Sequence, residues 1–145
     1  MTPAIALHGL ARWPRLCGLE ERLRRAAAAA LATAAPPFTG ELSVTFLPDE
    51  EMGELNRTWL GRSGPTDVIA FGLEGPARTG DVYVAPETAA RNARELGIDV
   101  DEELARLVIH GVLHVLGHDH PEGDERYGSP MYELQEELLK GPAGR

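Results

Sequence analysis

The sequence feature that most constrains the fold is a segment of helix length, residues 101–116, whose second half is apolar on nearly all sides. Leucine, valine and isoleucine fill its second half before, between and after two histidines, His110 and His114. A helix that is apolar all round must be covered by other elements, so this segment predicts a buried central helix. Buried imidazoles need polar partners, because an unpaired buried polar group costs free energy.

These two histidines belong to a longer pattern that predicts a metal site. His110 and His114 are four residues apart, which places both rings on one face of a helix. Gly117 can adopt the left-handed backbone that ends a helix and reverses the chain, so that His120 returns to the same ion. The alternative is a set of ordinary core histidines bonded to backbone groups. The spacing favours the metal, and we predict one zinc ion bound by His110, His114 and His120.

The proposed ligand set indicates catalysis rather than a structural zinc site. Three neutral histidines leave one position of a tetrahedral ion open, as in catalytic zinc sites. We expect Asp119 to orient a ligand histidine without binding the ion itself, and His118 to be solvated. Zinc peptidases have a glutamate directly after the first histidine as general base, and here Gly111 stands in that position. The pattern therefore predicts a metal-dependent hydrolase that is not an ordinary peptidase.

From about residue 42 to residue 139, the chain resembles the bacterial YbeY-type endoribonucleases, which are rRNA maturation factors. The most specific match is the histidine segment, residues 110–120. Further segments match in the same order: Leu55-Asn56, Pro65-Thr66-Asp67-Val68 with Phe71, Gly80-Asp81-Val82, and Met131 with Glu133 in the last helix.

This resemblance implies a single-strand-specific, metal-dependent endoribonuclease that acts in 16S rRNA 3′-end maturation and ribosome quality control. It implies zinc on His110, His114 and His120, and a cytoplasmic protein whose partners are single-stranded rRNA and the ribosome or its small-subunit proteins. Two other functions remain open at this point. One is a metallopeptidase with a non-standard base, and the other is a non-enzymatic ribosome-assembly factor that uses zinc only for folding.

One departure from the family pattern concerns the residue that holds the substrate phosphate. The family often carries an arginine four residues after the asparagine of its Leu-Asn segment, where this chain has Leu60. Arg62, or else Arg57, can take its place, hold a phosphate and stabilise charge in the transition state. We predict Arg62 as this catalytic residue. A solvated surface charge is the alternative for both arginines.

Other polar and aromatic residues could contribute to a site but are better explained by structural roles. Asp67 and Asp81 could pair as acid and base, yet each opens a predicted strand, where aspartate commonly makes local hydrogen bonds. Trp59, Phe71 and Tyr83 could stack on bases, as in single-strand binders. Aromatic residues more often belong to the core, and that is what we expect here.

The charge and cysteine content limit the classes of function. A net charge of −9 argues against a surface that grips nucleic acid everywhere, so any RNA contact must use a local, salt-sensitive basic patch. The acidic segment 133–137 is predicted to be a solvated helix face. A single cysteine, Cys17, allows neither an intramolecular disulfide nor a cysteine-rich zinc module, and it suits a reducing cytoplasm. No apolar run approaches the ~20 residues of a membrane span.

The remaining sequence predicts alternating strands and helices. Strands are predicted at residues 3–8, 41–47, 66–71 and 80–84. Helices are predicted at residues 19–35, 48–59, 86–96, 101–116 and 131–140. This order predicts an α/β (α+β) fold, in which a small mixed sheet of about four strands packs with about five helices and the central buried helix carries the metal ligands. We expect one domain over residues 1–145, with a core from about 3 to 140 and a frayed tail at 141–145.

Overall fold

A four-stranded mixed sheet is the frame of the computed structural model, which describes residues 3–73 and 78–141. The strands are β1 (Ala4–His8), β2 (Glu41–Phe46), β3 (Val68–Leu73) and β4 (Thr79–Val84). Their order in the sheet is β1-β2-β4-β3. β1 and β4 run parallel to β2, whereas β3 is an antiparallel edge strand beside β4. The predicted mixed sheet is therefore confirmed, although β3 begins and ends two residues later than predicted.

The helices include all five that the sequence predicts. The α-helices are α1 (Pro14–Cys17), α2 (Glu20–Leu31), α3 (Asp49–Leu60), α4 (Pro86–Leu96), α5 (Val100–Val115) and α6 (Pro130–Lys140). The short α1 and two 3₁₀ segments, Leu10–Arg12 and Gly123–Gly128, were not predicted. Within the described ranges, none of the helices is both long and apolar enough to cross a bilayer.

The predicted end of α2 at residue 35 is wrong, because the helix ends at Leu31. The next residues form tighter turns, in which Thr33 N donates to Ala30 O and Ala34 N donates to Leu31 O. Pro36 disfavours helical backbone at the residue before it, so the chain leaves the helix early. The tail predicted at 141–145 lies outside the described residues except for Gly141.

Helix α5 is the central buried element, as its apolar sequence predicts. It packs against α2, α4 and α6 and against strands β3 and β4. Its first turn is capped by Asp99, whose carboxylate accepts a hydrogen bond from the backbone N–H of Glu102 at 3.3 Å. From Leu104 to Val115 nearly every apolar side chain is buried. This burial fixes the helix against the sheet and thereby fixes the positions of its histidines.

The three aromatic residues considered for base stacking, Trp59, Phe71 and Tyr83, lie on the side of the sheet opposite α5. Phe71 and Tyr83 are partly buried against α3, and their ring centroids are 6.2 Å apart. Trp59, at the end of α3, makes an edge contact with Phe71 at 6.1 Å but is 67% exposed. The expectation that Trp59 is a core residue is therefore wrong, since α3 covers this side of the sheet only in part.

Candidate metal centre

The three predicted histidines come together at the end of α5. His110 and His114 occupy its last two turns, and Gly117 reverses the chain with φ +97°. The turn is closed by backbone bonds to the helix, including His118 N to Leu113 O at 3.0 Å. One ligand atom from each of His110, His114 and His120 then lies within 4.8 Å of the others. The three histidines can therefore hold a metal ion.

The hydrogen-bond partners of the rings orient the lone pairs towards the middle of this cluster. Nδ1 of His114 lies 3.0 Å from the carbonyl oxygen of His118, and Nδ1 of His120 lies 2.8 Å from that of Pro121. A carbonyl oxygen only accepts, so each Nδ1 carries the proton and each Nε2 carries a lone pair. This assignment follows from the bonding network rather than from observed hydrogens.

His110 is the third histidine of the cluster. The distance between its Nε2 and that of His114 shows whether the three residues suit a metal ion. Its Nδ1 lies 2.6 Å from Oε1 of Gln135, which also only accepts, so the lone pair of His110 is again on Nε2. The Nε2 atoms of His110 and His114 are only 3.0 Å apart. Two lone pairs facing each other at this distance repel unless a cation is shared between them, so they cannot form an ordinary hydrogen bond. This donor set suits a divalent metal that favours imidazole.

Burial keeps the histidines in the form that binds metal. Burial and, to a lesser extent, the charges that His110 and His120 would carry together lower the pKa of His114 to about 4. Burial also lowers the pKa of His110, against the opposing effect of its bond to Gln135. Both imidazoles are therefore uncharged at neutral pH, and metal binding there does not require their deprotonation.

Gln135 of α6 is a site residue that the sequence analysis missed. It is 3% exposed, and its Nε2 donates to Glu136 at 3.0 Å while its Oε1 faces His110. Glu136 in turn accepts two hydrogen bonds from Arg106. The expectation that the acidic segment 133–137 is wholly solvated is wrong at Glu136, because that side chain turns towards α5. No local spacing connects this pair to His110, since the two helices meet only in the fold.

Arg126 is a second residue that the sequence did not reveal. It lines a small cavity together with His110, His120, Met131, Tyr132 and Gln135. Its guanidinium is anchored by Tyr127, to whose hydroxyl Nη2 donates at 2.9 Å and whose ring centroid lies 5.0 Å away. The residue stands six positions after His120, in a polar 3₁₀ segment without helical or strand periodicity. A positive side chain therefore borders the histidine cluster.

Asp119 and Arg62 are the two other residues that the sequence predicts for the site. Oδ1 of Asp119 accepts from the backbone N–H of His120 at 2.8 Å, so the carboxylate steadies the turn rather than a ring nitrogen. Arg62 is exposed just beyond α3, where its backbone N–H donates to Asn56 O at 3.3 Å. The assignment of Arg62 to phosphate binding stays a prediction. Leu60, in the position where the family pattern has arginine, is 44% exposed.

Asp67 and Asp81 do not form a catalytic pair in this fold. Asp81 is in register with Phe71 in the β3–β4 ladder, and Asp67 lies four residues from Phe71 along the chain. This is roughly 13 Å at 3.3 Å per residue. Burial raises the pKa of Asp67, while its bonds to nearby backbone lower it. These local bonds agree with the structural role that the sequence favours.

Comparison with known proteins gives a consistent match. A family model described as Endoribonuclease YbeY matches residues 17–142. A relative named Endoribonuclease YbeY from Thermobifida fusca is 40% identical over 133 residues, covering 84% of this chain and 84% of the relative. One of the same name from Mycobacterium sp. (strain KMS) is 41% identical over 113 residues, covering 69% of this chain but only 63% of the relative.

A solved structure shares the fold. The solution structure of TM1509 from Thermotoga maritima has a TM-score of 0.60 and 28% sequence identity to this chain. The match covers 99% of this chain and 95% of that protein. The resemblance thus extends over the sheet, the helices and the segment that carries the histidines.

Proposed function

The chain belongs to the YbeY endoribonuclease family, and we propose that it is an endoribonuclease that cleaves single-stranded RNA with one zinc ion held by His110, His114 and His120. Its proposed task is 16S rRNA 3′-end maturation and ribosome quality control. The ribosome or its small-subunit proteins are the proposed partners. An rRNA substrate and the lone exposed Cys17 suit a cytoplasmic location.

The observation that carries this proposal is the convergence of three Nε2 lone pairs at the end of α5. The contacts of the Nδ1 atoms fix all three rings in the same tautomer. The 3.0 Å approach of His110 and His114 then calls for a shared cation. When bound, an ion held by the three histidines would supply Lewis acidity towards a phosphoryl oxygen of the RNA.

Arginine side chains would bind the substrate phosphate beside this centre. Arg126 is the better placed candidate, because it lines the same cavity as His110 and His120. A guanidinium there can hold a phosphate oxygen and stabilise the charge that grows on it during cleavage. Arg62 remains the candidate that the sequence pattern supports. Asp119 is proposed to act indirectly, by keeping the backbone of His120 in place.

The two other functions are not favoured. The peptidase lacks its general base, because Gly111 follows His110 and the relatives are named endoribonucleases. The same name argues against an assembly factor without activity. A direct test compares the zinc-loaded chain on three substrates: a labelled single-stranded RNA, the same RNA annealed to its complement, and casein. We expect cleavage of the single strand alone.

Variants of the histidines make this test specific. His114→Ala should reduce RNA cleavage to background. His8→Ala should cleave normally, since His8 lies in β1, at the edge of the sheet opposite β3. Casein cleavage that is lost in His114→Ala while RNA cleavage persists would overturn the proposal. The product ends identify the nucleophile, because a 2′,3′-cyclic phosphate requires attack by the ribose 2′-hydroxyl. Metal analysis of the purified chain distinguishes zinc from nickel and other divalent ions.

A parallel comparison identifies the arginine that binds phosphate. Arg126→Ala should lower kcat/KM for RNA by roughly 10²-fold if its charge stabilises the transition state. Arg62→Ala should show the larger loss if the sequence-based assignment is correct. Arg94→Ala, an exposed arginine in the last turn of α4, is the matched control and should change little. If neither Arg62 nor Arg126 differs from this control, both assignments are wrong.

A further inference from the structure

A chain of partly buried polar contacts runs from α5 across to α6 and back to His110. Arg106 donates to both oxygens of Glu136, from Nε at 2.9 Å and from Nη2 at 3.2 Å. Glu136 Oε2 also accepts from Gln135 Nε2 at 3.0 Å. Gln135 Oε1 then lies 2.6 Å from His110 Nδ1. Arg106 and His110 are one helical turn apart on α5, so the contacts close a loop between the two helices.

The two charged residues in this loop, Arg106 and Glu136, determine the direction of every hydrogen bond in it. A guanidinium only donates and an ionised carboxylate only accepts, so Arg106 and Glu136 define the start of the chain. The NH₂ group of Gln135 must therefore face Glu136, which turns its carbonyl oxygen towards His110. That oxygen accepts the proton of Nδ1 and leaves the lone pair of His110 on Nε2. Without this sequence of contacts, a glutamine could present either end of its amide.

The contacts around Glu136 and Arg106 keep both side chains charged, as the orientation of Gln135 requires. Burial opposes ionisation of Glu136, but the hydrogen bonds from Arg106 and Gln135 outweigh it and lower the pKa. Arg106 is also held by Glu103, to which Nη1 donates at 2.8 Å. The side chains of Arg106 and Glu136 are only 18% and 21% exposed, so solvent screens this pair less than a surface ion pair.

From these contacts we infer that Gln135 is a positioning residue of the metal centre, and that Glu136 and Arg106 act through it by fixing the orientation of its amide. Gln135 holds the His110 ring in one tautomer and presents its Nε2 to the ion. Neighbours of ligand histidines commonly have this effect, and their loss typically weakens metal binding by about 10- to 100-fold. The inference rests on the proposed metal site.

Cobalt binding to the purified chain tests the inference without an activity assay. The affinity is measured by competition with a chelator and from the visible spectrum of Co²⁺. We expect Gln135→Met, which is similar in size but offers only a weakly accepting thioether sulfur in place of the amide oxygen, to bind Co²⁺ about 10- to 100-fold more weakly. Glu136→Gln should weaken binding less, because Gln135 then keeps its oxygen but loses its fixed orientation. Glu137→Gln, the same change on an exposed neighbour, is the control and should bind like the wild type.

The double variant Gln135→Met/Glu136→Gln separates a positioning role from general loosening of α6. If Glu136 acts only through Gln135, the double variant binds Co²⁺ as Gln135→Met does. Additive losses would overturn this part of the inference. Wild-type affinity in Gln135→Met would overturn it altogether. Should Gln135→Met fail to fold, the comparison of Glu136→Gln with Glu137→Gln still decides, because equal affinities there contradict the inference.

Nitrogen NMR of the metal-free chain tests the tautomer directly and is independent of the proposed function. We expect the wild type and Glu137→Gln to show His110 protonated on Nδ1 alone. Glu136→Gln should show a mixture of the two tautomers. A wild type with this tautomer but no affinity for Co²⁺ would refute the metal site and leave the role of Gln135 in orienting the ring intact. A wild type protonated on Nε2 would refute the role of Gln135.

Discussion

Gly111 lies directly after the first histidine, at a point where α5 packs tightly against the sheet. A Cβ atom at this position would be 2.5 Å from Cγ1 of Val82 and 3.2 Å from Cγ2 of Val68. Any side chain here would therefore point into strands β3 and β4 and away from the histidine cluster. A peptidase base could not be supplied from this position even by a glutamate. The glycine is required by the packing that brings His110 and His114 to the edge of the core.

This close approach gives a first prediction about stability. Gly111→Ala forces Val82 or the helix to move, and we expect a loss of about 1–3 kcal/mol in the free energy of unfolding. Gly53→Ala is the matched control, because Gly53 is inside α3 and a Cβ there meets only ordinary contacts at 3.7 Å or more. That variant should gain up to ~1 kcal/mol from helix propensity. Urea unfolding of both chains checks the prediction, which fails if Gly111→Ala is as stable as the wild type.

A second prediction at this scale concerns Asp119. Asp119→Ala removes the acceptor of the His120 backbone N–H and should weaken zinc binding about fivefold, as expected for the loss of roughly 1 kcal/mol. Asp119→Asn keeps an oxygen that can accept the same bond and should bind zinc nearly as well as the wild type. Calorimetric titration with zinc measures both. Equal losses in the two variants would show that the charge of Asp119 matters rather than its hydrogen bond.

Single residues also show which parts of the site a sequence can reveal. His110, His114 and His120 were predictable because helix spacing and a glycine turn bring them together within one short segment. Gln135, Glu136 and Arg126 were not, because they reach the site only through the packing of α6 against α5 and of the 3₁₀ segment against α6. A contact between distant parts of the chain leaves no periodic signal in either part.

At the scale of elements, the junction between the 3₁₀ segment Gly123–Gly128 and α6 connects two parts of the site. Ser129 stands at this junction and is 6% exposed. Its Oγ accepts from the backbone N–H of Tyr132 at 3.2 Å and donates to the carbonyl of Arg126 at 2.7 Å. The same hydroxyl therefore caps the helix that carries Gln135 and holds the backbone of Arg126.

Because the Ser129 hydroxyl has both roles, we expect its removal to cost more stability than the loss of an ordinary helix cap. Ser129→Ala should lower the free energy of unfolding by about 1–2 kcal/mol, because one buried hydroxyl serves two backbone groups. Asp99→Ala, which removes the exposed cap of α5, should cost less, about 0.5–1 kcal/mol. Urea unfolding of the two variants makes the comparison, and a larger loss in Asp99→Ala would contradict it.

The predicted elements differ from the observed ones mainly where local polar contacts set the limits. Helix α6 begins one residue earlier than predicted, because Ser129 and Pro130 form its cap and first position. The 3₁₀ segment before it has no apolar periodicity, and it is held by Arg126, Tyr127 and Ser129 rather than by a buried stripe. Patterns of apolar residues predict the long elements well and the short polar ones poorly.

At the scale of the whole molecule, the mixed sheet and its central helix follow from the sequence, whereas the open face of the sheet does not. Alternating apolar residues in β2 and β4 mark the face that α5 covers. The same pattern gives no sign that α3 covers the other face only in part. Trp59 was for this reason assigned to the core although it is exposed. Local pattern determines which residues share a face, and only the complete packing determines how far that face is covered.

The position of the metal centre relative to the core predicts how the protein responds to loss of zinc. The core joins α2, α5, β2 and β4 through fully buried side chains, for example Leu23, Val44 and Val108, whereas the three histidines are only partly buried. The chelated chain should therefore keep its helical circular dichroism and unfold cooperatively. Zinc at 100 times its Kd should add about 2.7 kcal/mol to the free energy of unfolding.

His114→Ala is the control, since zinc should add no stability to a chain that lacks one of the three ligands. Urea unfolding with EDTA and with buffered zinc measures both chains. Collapse of the circular dichroism signal in EDTA would contradict this view, because the ion would then be needed for folding itself. That outcome would revive the assembly factor that uses zinc only for folding. A modest and saturable gain in stability instead fits an ion bound at the edge of a core that is complete without it.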